Sequence, residues 1–386
     1  MLYERGVRPV IGHQEMVCME HSFVQRKIYY WLRRETGSSG VRKVASLRGA
    51  IASEIGNVRS DNQDKAIAFK GFDARGREYS VAVVADGIGG MNDGAACAAL
   101  AIAAFTSEIS VLSQRGFSSP LTQMKQAAHF ANEAVYRDYL GRGGSTLVAV
   151  LFLSGMPPIW VSAGDSRIYL QSGKSLKLLT TDDTIAGQLK KSGTVPAEHS
   201  KILQFVGMGK DFEPHVDEVR DAHEGELILT TDGVHFLENG SDWFKSIIQN
   251  APDAGATAKR LVEVAKWCGG PDNATLACFG FPFRPTSRGA IDDGIQIWDA
   301  FGELDIQLQH NPVSRQQPNS NNRHQSPRKP PVSEVDDGER QLIEEDEPEL
   351  LPPTGKTTPK KPRKSRAKNP TDKDTPQLDI EFSKKE

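Results

Sequence analysis

Val81–Gly87 reads VAVVADG, and Glu226–Gly233 reads ELILTTDG. Each is an apolar run rich in valine or leucine that stops abruptly at Asp-Gly, as a buried strand ending at a carboxylate would. Similar runs occupy Tyr79–Ala85, Thr146–Leu153, Ile159–Ala163, Ile168–Gln171, Glu226–Thr231 and Ala274–Phe281. Helical spacing lies between them, in Gly94–Ser107, Leu121–Tyr139, Thr184–Lys191, Trp243–Gln249 and Ala254–Trp267. The strands are grouped rather than strictly alternating with helices. That predicts an α+β fold with antiparallel sheets, not a doubly wound parallel one.

Outward from this core the composition changes twice. Residues 1–50 read as a basic extension with one short amphipathic helix, Phe23–Arg34, expected to pack on the domain that follows. Residues 51–282 read as the folded catalytic domain. Residues 283–386 are rich in proline and charge and poor in aromatics, so they bury too little surface to offset ordering entropy and read as a mostly disordered tail. An acidic block, Glu334–Glu349, precedes a basic one, Lys360–Lys368, and the pair reads as a self-screened polyampholyte. Two near copies, ELDIQL (303–308) and QLDIEF (377–382), alternate like strands; the recurrence reads as chance or simple low complexity, with docking on a partner's sheet edge as the competing hypothesis.

The bulk numbers exclude some classes. Of 386 residues, 38% are hydrophobic and 25% charged, and the net charge of −3 argues against nucleic acid as a partner. No apolar stretch reads as a membrane span, and the polar start does not resemble a signal peptide. The four cysteines lack metal-type spacing, so a reducing, cytoplasmic setting is the expectation.

The chemistry sits at the strand ends. One Asp-Gly alone is an ordinary turn. Two aspartates at buried strand ends repel one another when brought together, unless a cation lies between them. IWVSAGDSRIYL (159–170) adds Asp165, PDNATLACFGF (271–281) adds Asp272, and NVRSDNQD (57–64) adds Asp64 five residues after Arg59. Five carboxylates beside small or turn residues suit hard divalent ions and phosphoryl transfer, with Arg59 as the cation for the phosphate.

At this point the chain resembles the metal-dependent protein phosphatases of type 2C, the PPM family. The resemblance runs through RSDNQD (59–64), VADGIGG (84–90), GGSTLVAV (143–150), SAGDSRIYL (162–170), LTTDD (179–183), LILTTDGV (227–234) and PDNAT (271–275), in the family's order. The glycine-rich DGIGG form is more like the bacterial branch. The resemblance implies a four-layer α-β-β-α sandwich of two antiparallel sheets flanked by helices. It implies two magnesium or manganese ions, with Asp86 bridging, the Gly87 carbonyl on one ion, and Asp232 and Asp272 completing the first. Gln63 and Asp64 meet the second largely through water, and Asp165 with Asp232 holds a weaker third ion. Arg59 grips the phosphate of a phosphoserine or phosphothreonine protein, which a metal-bridging hydroxide attacks in line. A serine/threonine kinase or its complex is the expected partner.

Three positions depart from the family. Gln63 stands where many members carry glutamate, Ile88 where animal members often place a histidine, and Asp183 where the family usually has one. The variable flap corresponds to Thr184–Phe212 and carries Lys190, Lys191, His199, Lys201 and Lys210. The rival reading is a phosphatase-like module with weak catalysis that serves as an interaction subunit. The full set of aspartates favours the enzyme.

Overall fold

The valine run that ends before Asp86 is strand β4 (Glu78–Ala85), and all eight of its residues are buried. Successive side chains on a strand face opposite ways, so a run this apolar must be covered on both faces. It is: Val81 and Val83 pack into a core under helices, while Ala82 and Val84 pack into a core between two sheets. The structure, a computed structural model, describes residues 13–189, 201–220, 223–238, 242–282 and 294–307.

In chain order the described elements are α1 (His13–Leu32), β1 (Ser39–Val44), β2 (Gly49–Glu54), β3 (Lys65–Phe72), β4, α2 (Gly94–Gln114), α3 (Pro120–Tyr139), β5 (Leu147–Leu153), β6 (Ile159–Ala163), β7 (Arg167–Ser172) and β8 (Ser175–Leu178). Then follow α4 (Ile185–Leu189), β9 (His215–Glu218), β10 (Gly225–Thr230), α5 (Asp232–His235), α6 (Trp243–Asn250), α7 (Ala254–Trp267), β11 (Ala274–Phe281), β12 (Gly294–Trp298) and β13 (Glu303–Gln307). One sheet runs β1-β2-β11-β10-β7-β8 and the other β13-β12-β3-β4-β5-β6-β9. Every pairing is antiparallel.

Three cores make four layers. Val148, Val150, Phe152, Ile168, Leu227, Leu229 and Phe279 fill the space between the sheets. Helices α1, α2 and α3 cover the outer face of the seven-stranded sheet through Ile28, Ile102, Phe105 and Met124. On the other side Phe244, Ile248, Leu261 and Val262, from α6 and α7, cover the six-stranded sheet. This is the expected α-β-β-α sandwich.

The flanks depart from the sequence reading. Residues 1–50 are not simply an extension, because β1 and the start of β2 are sheet strands, with Val41 opposite Ala52. Val24, Ile28 and Leu32 of α1 belong to the helix-side core. The folded part also passes the expected boundary at 282, since β12 pairs with β3 and β13 with β12. ELDIQL is therefore not a free docking segment: residues 303–307 form an edge strand of the chain's own sheet, with Ile306 buried. The cause is its alternation, which puts Leu304 and Ile306 on the core side. Arg34 ties the two flanks together by donating from Nη2 to both oxygens of Asp299, at 2.9 and 2.7 Å. QLDIEF, the acidic and basic blocks, and Lys190, Lys191 and His199 lie outside the described residues.

A second correction concerns α2. By length and composition it is apolar enough to cross a membrane, yet its side chains are buried against α1, α3 and the sheet. Its alanines let these neighbours approach closely.

Candidate active site

Strand register gathers the carboxylates. Ala85, the last residue of β4, faces Lys65, the first of β3, so Asp86 and Asp64 sit side by side beyond the pair. In the other sheet Thr230 of β10 faces both Leu276 of β11 and Arg167 of β7. Asp232 therefore emerges beside the Asp272–Asn273 approach to β11 and the Asp165–Ser166 turn before β7. Both groups open on a cavity of about 350 Å³ lined by Arg59, Gln63, Asp86, Gly87, Ile88, Gly89, Thr146, Asp165, Ile202, Asp232, Asp272 and Asn273. Of the predicted site residues, Asp64 alone is missing from this lining. It is 2% exposed, lines a larger adjoining cavity instead, and accepts from Thr231 Oγ1 at 2.8 Å.

A larger cavity of about 650 Å³ adjoins the first, and Gln63 lines both. Its cations are already engaged: Arg34 on Asp299, and Lys65 Nζ on the carbonyls of Asn62 (2.8 Å) and Asp64 (3.0 Å). The smaller cavity holds the convergent carboxylates, so the chemistry is assigned there.

Residues that the sequence reading gave no role hold these side chains in place. Asp86 N donates to Thr146 Oγ1 (2.9 Å), and Thr146 N and Ser145 Oγ both donate to Asp86 O (2.8 Å each). Thr146 Oγ1 also bonds Ser166 Oγ at 2.7 Å, joining this strand end to the Asp165 turn. Asn273 accepts from Gln63 N (2.8 Å) and donates to the carbonyls of Ile55 and Asp61 (2.9 Å each), which fixes the loop carrying Arg59 and Gln63. Their signal in the sequence was a hydroxyl or amide residue next to a strand end, which turns and caps produce just as often.

The electrostatics are those of crowded anions. Burial raises the Asp86 carboxyl well above its ordinary range, and Asp64, Asp232, Asp165 and Asp272 push it the same way. Burial, opposed by the Thr231 hydrogen bond, takes Asp64 to about 7. Burial and then Asp232 take Asp165 to about 7. Asp232 rises through burial and the nearness of Asp272. At the mouth, half-exposed Arg59 donates from Nη2 to Asp272 Oδ2 at 2.7 Å.

The donor set fits hard divalent ions. Asp64 Oδ1 and Asp232 Oδ1 are buried with no hydrogen-bond partner among the described residues, which is costly for a carboxylate unless a cation is at hand. Among the described residues no three His, Cys, Asp or Glu side chains converge on one point. Magnesium-type ions tolerate this, because they keep several waters of their own. Gly87 is required by close approach: a Cβ there would strike the Gly94 carbonyl.

No family model matches the chain. Protein phosphatase PhpP of Streptococcus pneumoniae is 27% identical over 242 residues, which are 59% of this chain and 95% of that protein. Serine/threonine protein phosphatase PstP of Mycobacterium tuberculosis is 30% identical over 246 residues, 60% of this chain and 44% of its own length. Among solved structures, the PPM Ser-Thr phosphatase MsPP of Mycobacterium smegmatis, in complex with cacodylate, matches 61% of this chain and 98% of its own, with 26% identity and a TM-score of 0.50. The PstP catalytic domain, in complex with two manganese ions, matches 63% and 99%, with 26% identity and a TM-score of 0.50. The fold, the segments in family order and these relatives agree in supporting a type 2C protein phosphatase of the PPM kind, most similar to the bacterial-like branch.

Proposed function

We propose that this protein serine/threonine phosphatase cleaves its phosphomonoester by direct in-line attack of water, with no covalent phosphoenzyme. The observation that carries the reading is that four aspartates from four chain segments line one cavity, with Asp64 buried nearby, carboxylate oxygens of Asp64 and Asp232 left unpaired among the described residues, and a guanidinium at the mouth. Asp86, the Gly87 carbonyl, Asp232 and Asp272 would hold two magnesium or manganese ions, with Gln63 and Asp64 reaching the second through water. Asp165 and Asp232 would hold a weaker third. When bound, such ions supply Lewis acidity that stabilises phosphoryl negative charge and makes water a stronger acid.

The chain's own residues supply the rest. Arg59, held to Asp272 by one hydrogen bond, has the reach and fork geometry to take a phosphate oxygen pair instead. Among the described lining residues the one hydroxyl is that of Thr146, and it is committed to Asp86 N and Ser166 Oγ. That argues against a hydroxyl side chain as the nucleophile, and with the aspartates assigned to the ions it supports water. Ile88 and Ile202 are the large apolar side chains among the described lining residues, and they would limit water beside the carboxylates.

The expected substrates are phosphorylated proteins, and the expected partner is a kinase whose products this site reverses. A reducing, cytoplasmic setting belongs to the same proposal, supported by the free and exposed Cys268. The test is manganese-dependent hydrolysis of a phosphothreonine peptide by wild type, Asp86→Asn and Asp232→Asn. Loss in both variants supports the reading. Wild type no faster than either, in magnesium and in manganese, defeats it.

A further inference from the structure

Asp183 does not line the cavity, but its side chain touches three separate parts of the chain. It is 7% exposed. Its Oδ2 accepts from Gly164 N (3.0 Å) and from Gln204 Nε2 (2.9 Å), and its Oδ1 meets His215 Nε2 at 2.8 Å. Its backbone makes two more bonds: Asp183 N donates to Gly164 O (2.9 Å), and Leu203 N donates to Asp183 O (2.7 Å). Gly164 immediately precedes Asp165, and Leu203 immediately follows Ile202. Asp165 and Ile202 both line the cavity. Gln204 closes the loop by accepting from Glu213 N at 2.7 Å, two residues before His215.

We propose that Asp183 is a positioning residue that fixes the carboxylate Asp165 and the apolar wall residue Ile202 in one relation across the cavity. Ion binding at Asp165 and substrate contact at Ile202 are then coupled through one residue, whose side chain takes Gly164 N and Gln204 Nε2 and whose backbone takes Leu203 N, beside the Thr184–Ile202 bridge. A carboxylate suits this junction because it accepts several charge-assisted bonds at once, and these are shorter and stronger than neutral ones. Asparagine could replace it. Its oxygen would accept from Gly164 N and Gln204 Nε2, and its amide would donate to a neutral His215 ring in the other tautomer. Alanine could do neither. The naming of the ions and substrate rests on the phosphatase reading, whereas the coupling of the two cavity walls rests on the bonds above.

The experiment uses the full chain as wild type, Asp183→Ala, Asp183→Asn and Gln204→Met. Manganese affinity is measured by calorimetry, and kcat and KM are measured with a phosphothreonine peptide and with 4-nitrophenyl phosphate. Groups that orient ligating residues typically shift metal affinity by about tenfold to a hundredfold. Asp183→Ala is therefore expected to weaken the weakest manganese step by about tenfold and to raise KM for the peptide more than for the aryl phosphate. Asp183→Asn should restore both, which a loss of bulk packing would not allow. Gln204→Met, which keeps the Gly164 bond, should raise KM for the peptide with manganese affinity unchanged, and it stands as the test if Asp183→Ala does not fold. The proposal is overturned by folded Asp183→Ala that binds manganese and peptide as wild type does, by Asp183→Asn no better than alanine, or by Gln204→Met with wild-type KM. If wild type hydrolyses neither substrate, the phosphatase reading fails, and the manganese affinities of the alanine and asparagine variants still decide for or against Asp183.

Discussion

VADG (84–87) and TTDG (230–233) are nearly the same phrase, yet they end in different structures. After Asp86 the backbone stays extended, and Gly87 bridges to Ser145 of the neighbouring segment. After Thr231 it turns at once into α5, with Asp232 as its first residue. Neither is the hairpin turn that Asp-Gly suggests locally. Both glycines answer a collision: a Cβ on Gly87 would meet the Gly94 carbonyl, and one on Gly233 the Asn273 carbonyl. The charges differ as well. Asp86 has four carboxylates raising its pKa, whereas Asp232 is partly relieved by Gly233 N–H and by Arg59. The two aspartates are therefore unequal, with Asp86 the more dependent on a cation.

The largest expected effect tests that inequality. Asp86→Asn should lower kcat/KM by about a thousandfold and Asp232→Asn by about a hundredfold, within the range for removing one group that stabilises transition-state charge. Equal losses in a side-by-side assay would break the comparison. Thermal melting sharpens it from the other side. In chelator, Asp86→Asn should melt at or above wild type, because a charge among like charges is gone. Manganese should raise the wild-type melting temperature by mass action and leave that of Asp86→Asn nearly unmoved.

A smaller effect is expected at the supports of the two phrases. Thr146→Val strands Asp86 N without its acceptor, at a cost of about 1–3 kcal/mol, and should lower kcat by about tenfold. Thr231→Val strips the hydrogen bond from Asp64, so the manganese needed for half activity should rise while kcat at saturation changes less. Denaturant melts and manganese titrations of the pair check this, and a reversed order of kcat would count against the assignment of Thr146 to Asp86.

The smallest lies at the far end of β10. Burial, then Asp253, pushes the Glu226 carboxyl from 4.5 up to about 7. The folded state therefore holds this proton more tightly than the unfolded one, so its stabilisation is complete below pH 4.5 and is lost as pH rises through about 7. Glu226→Gln should flatten that part of the curve and raise the melting temperature above pH 7 by about 2 °C, since the group is only partly buried. No difference between the two proteins at pH 5 and pH 8 would remove Glu226 as a contributor.

Central strands were legible because burial on both faces demands an unbroken apolar run, as in β4, β5 and β11. β1 was not: SGVRKV is a short edge strand whose exposed positions, Ser39, Val41 and Lys43, mix polar and apolar side chains, so no clean alternation marks it. β2 failed for another reason, since GAIASE is wholly buried but made of small residues that carry little hydrophobic signal. β13 was read as a strand, but the sequence did not show whose sheet it joins, because alternation reveals a face and not a partner. In the site Asp86 and Asp232 stood out because each ends an apolar run with no adjacent base, whereas Asp64, Asp165 and Asp272 gained meaning only from the set and from the family order. Thr146, Asn273 and Asp183 did not, since their roles depend on groups brought near from distant segments.

From the sequence alone came the fold class, the order of the central strands and helices, and the aspartates and arginine, Asp86, Asp165, Asp232, Asp272 and Arg59, that the fold brings to one cavity. The first two follow from periodicity, and the last from carboxylates at strand ends read together with the family resemblance. Only the tertiary structure decided that Asp64 lines the adjoining cavity and not the one that holds Asp86, that β1, β12 and β13 extend the sheets, and that Asp183 joins the Asp165 turn to the Ile202 segment. Register and sheet packing decide such matters, and they depend on contacts between residues far apart in the chain, which no local pattern encodes.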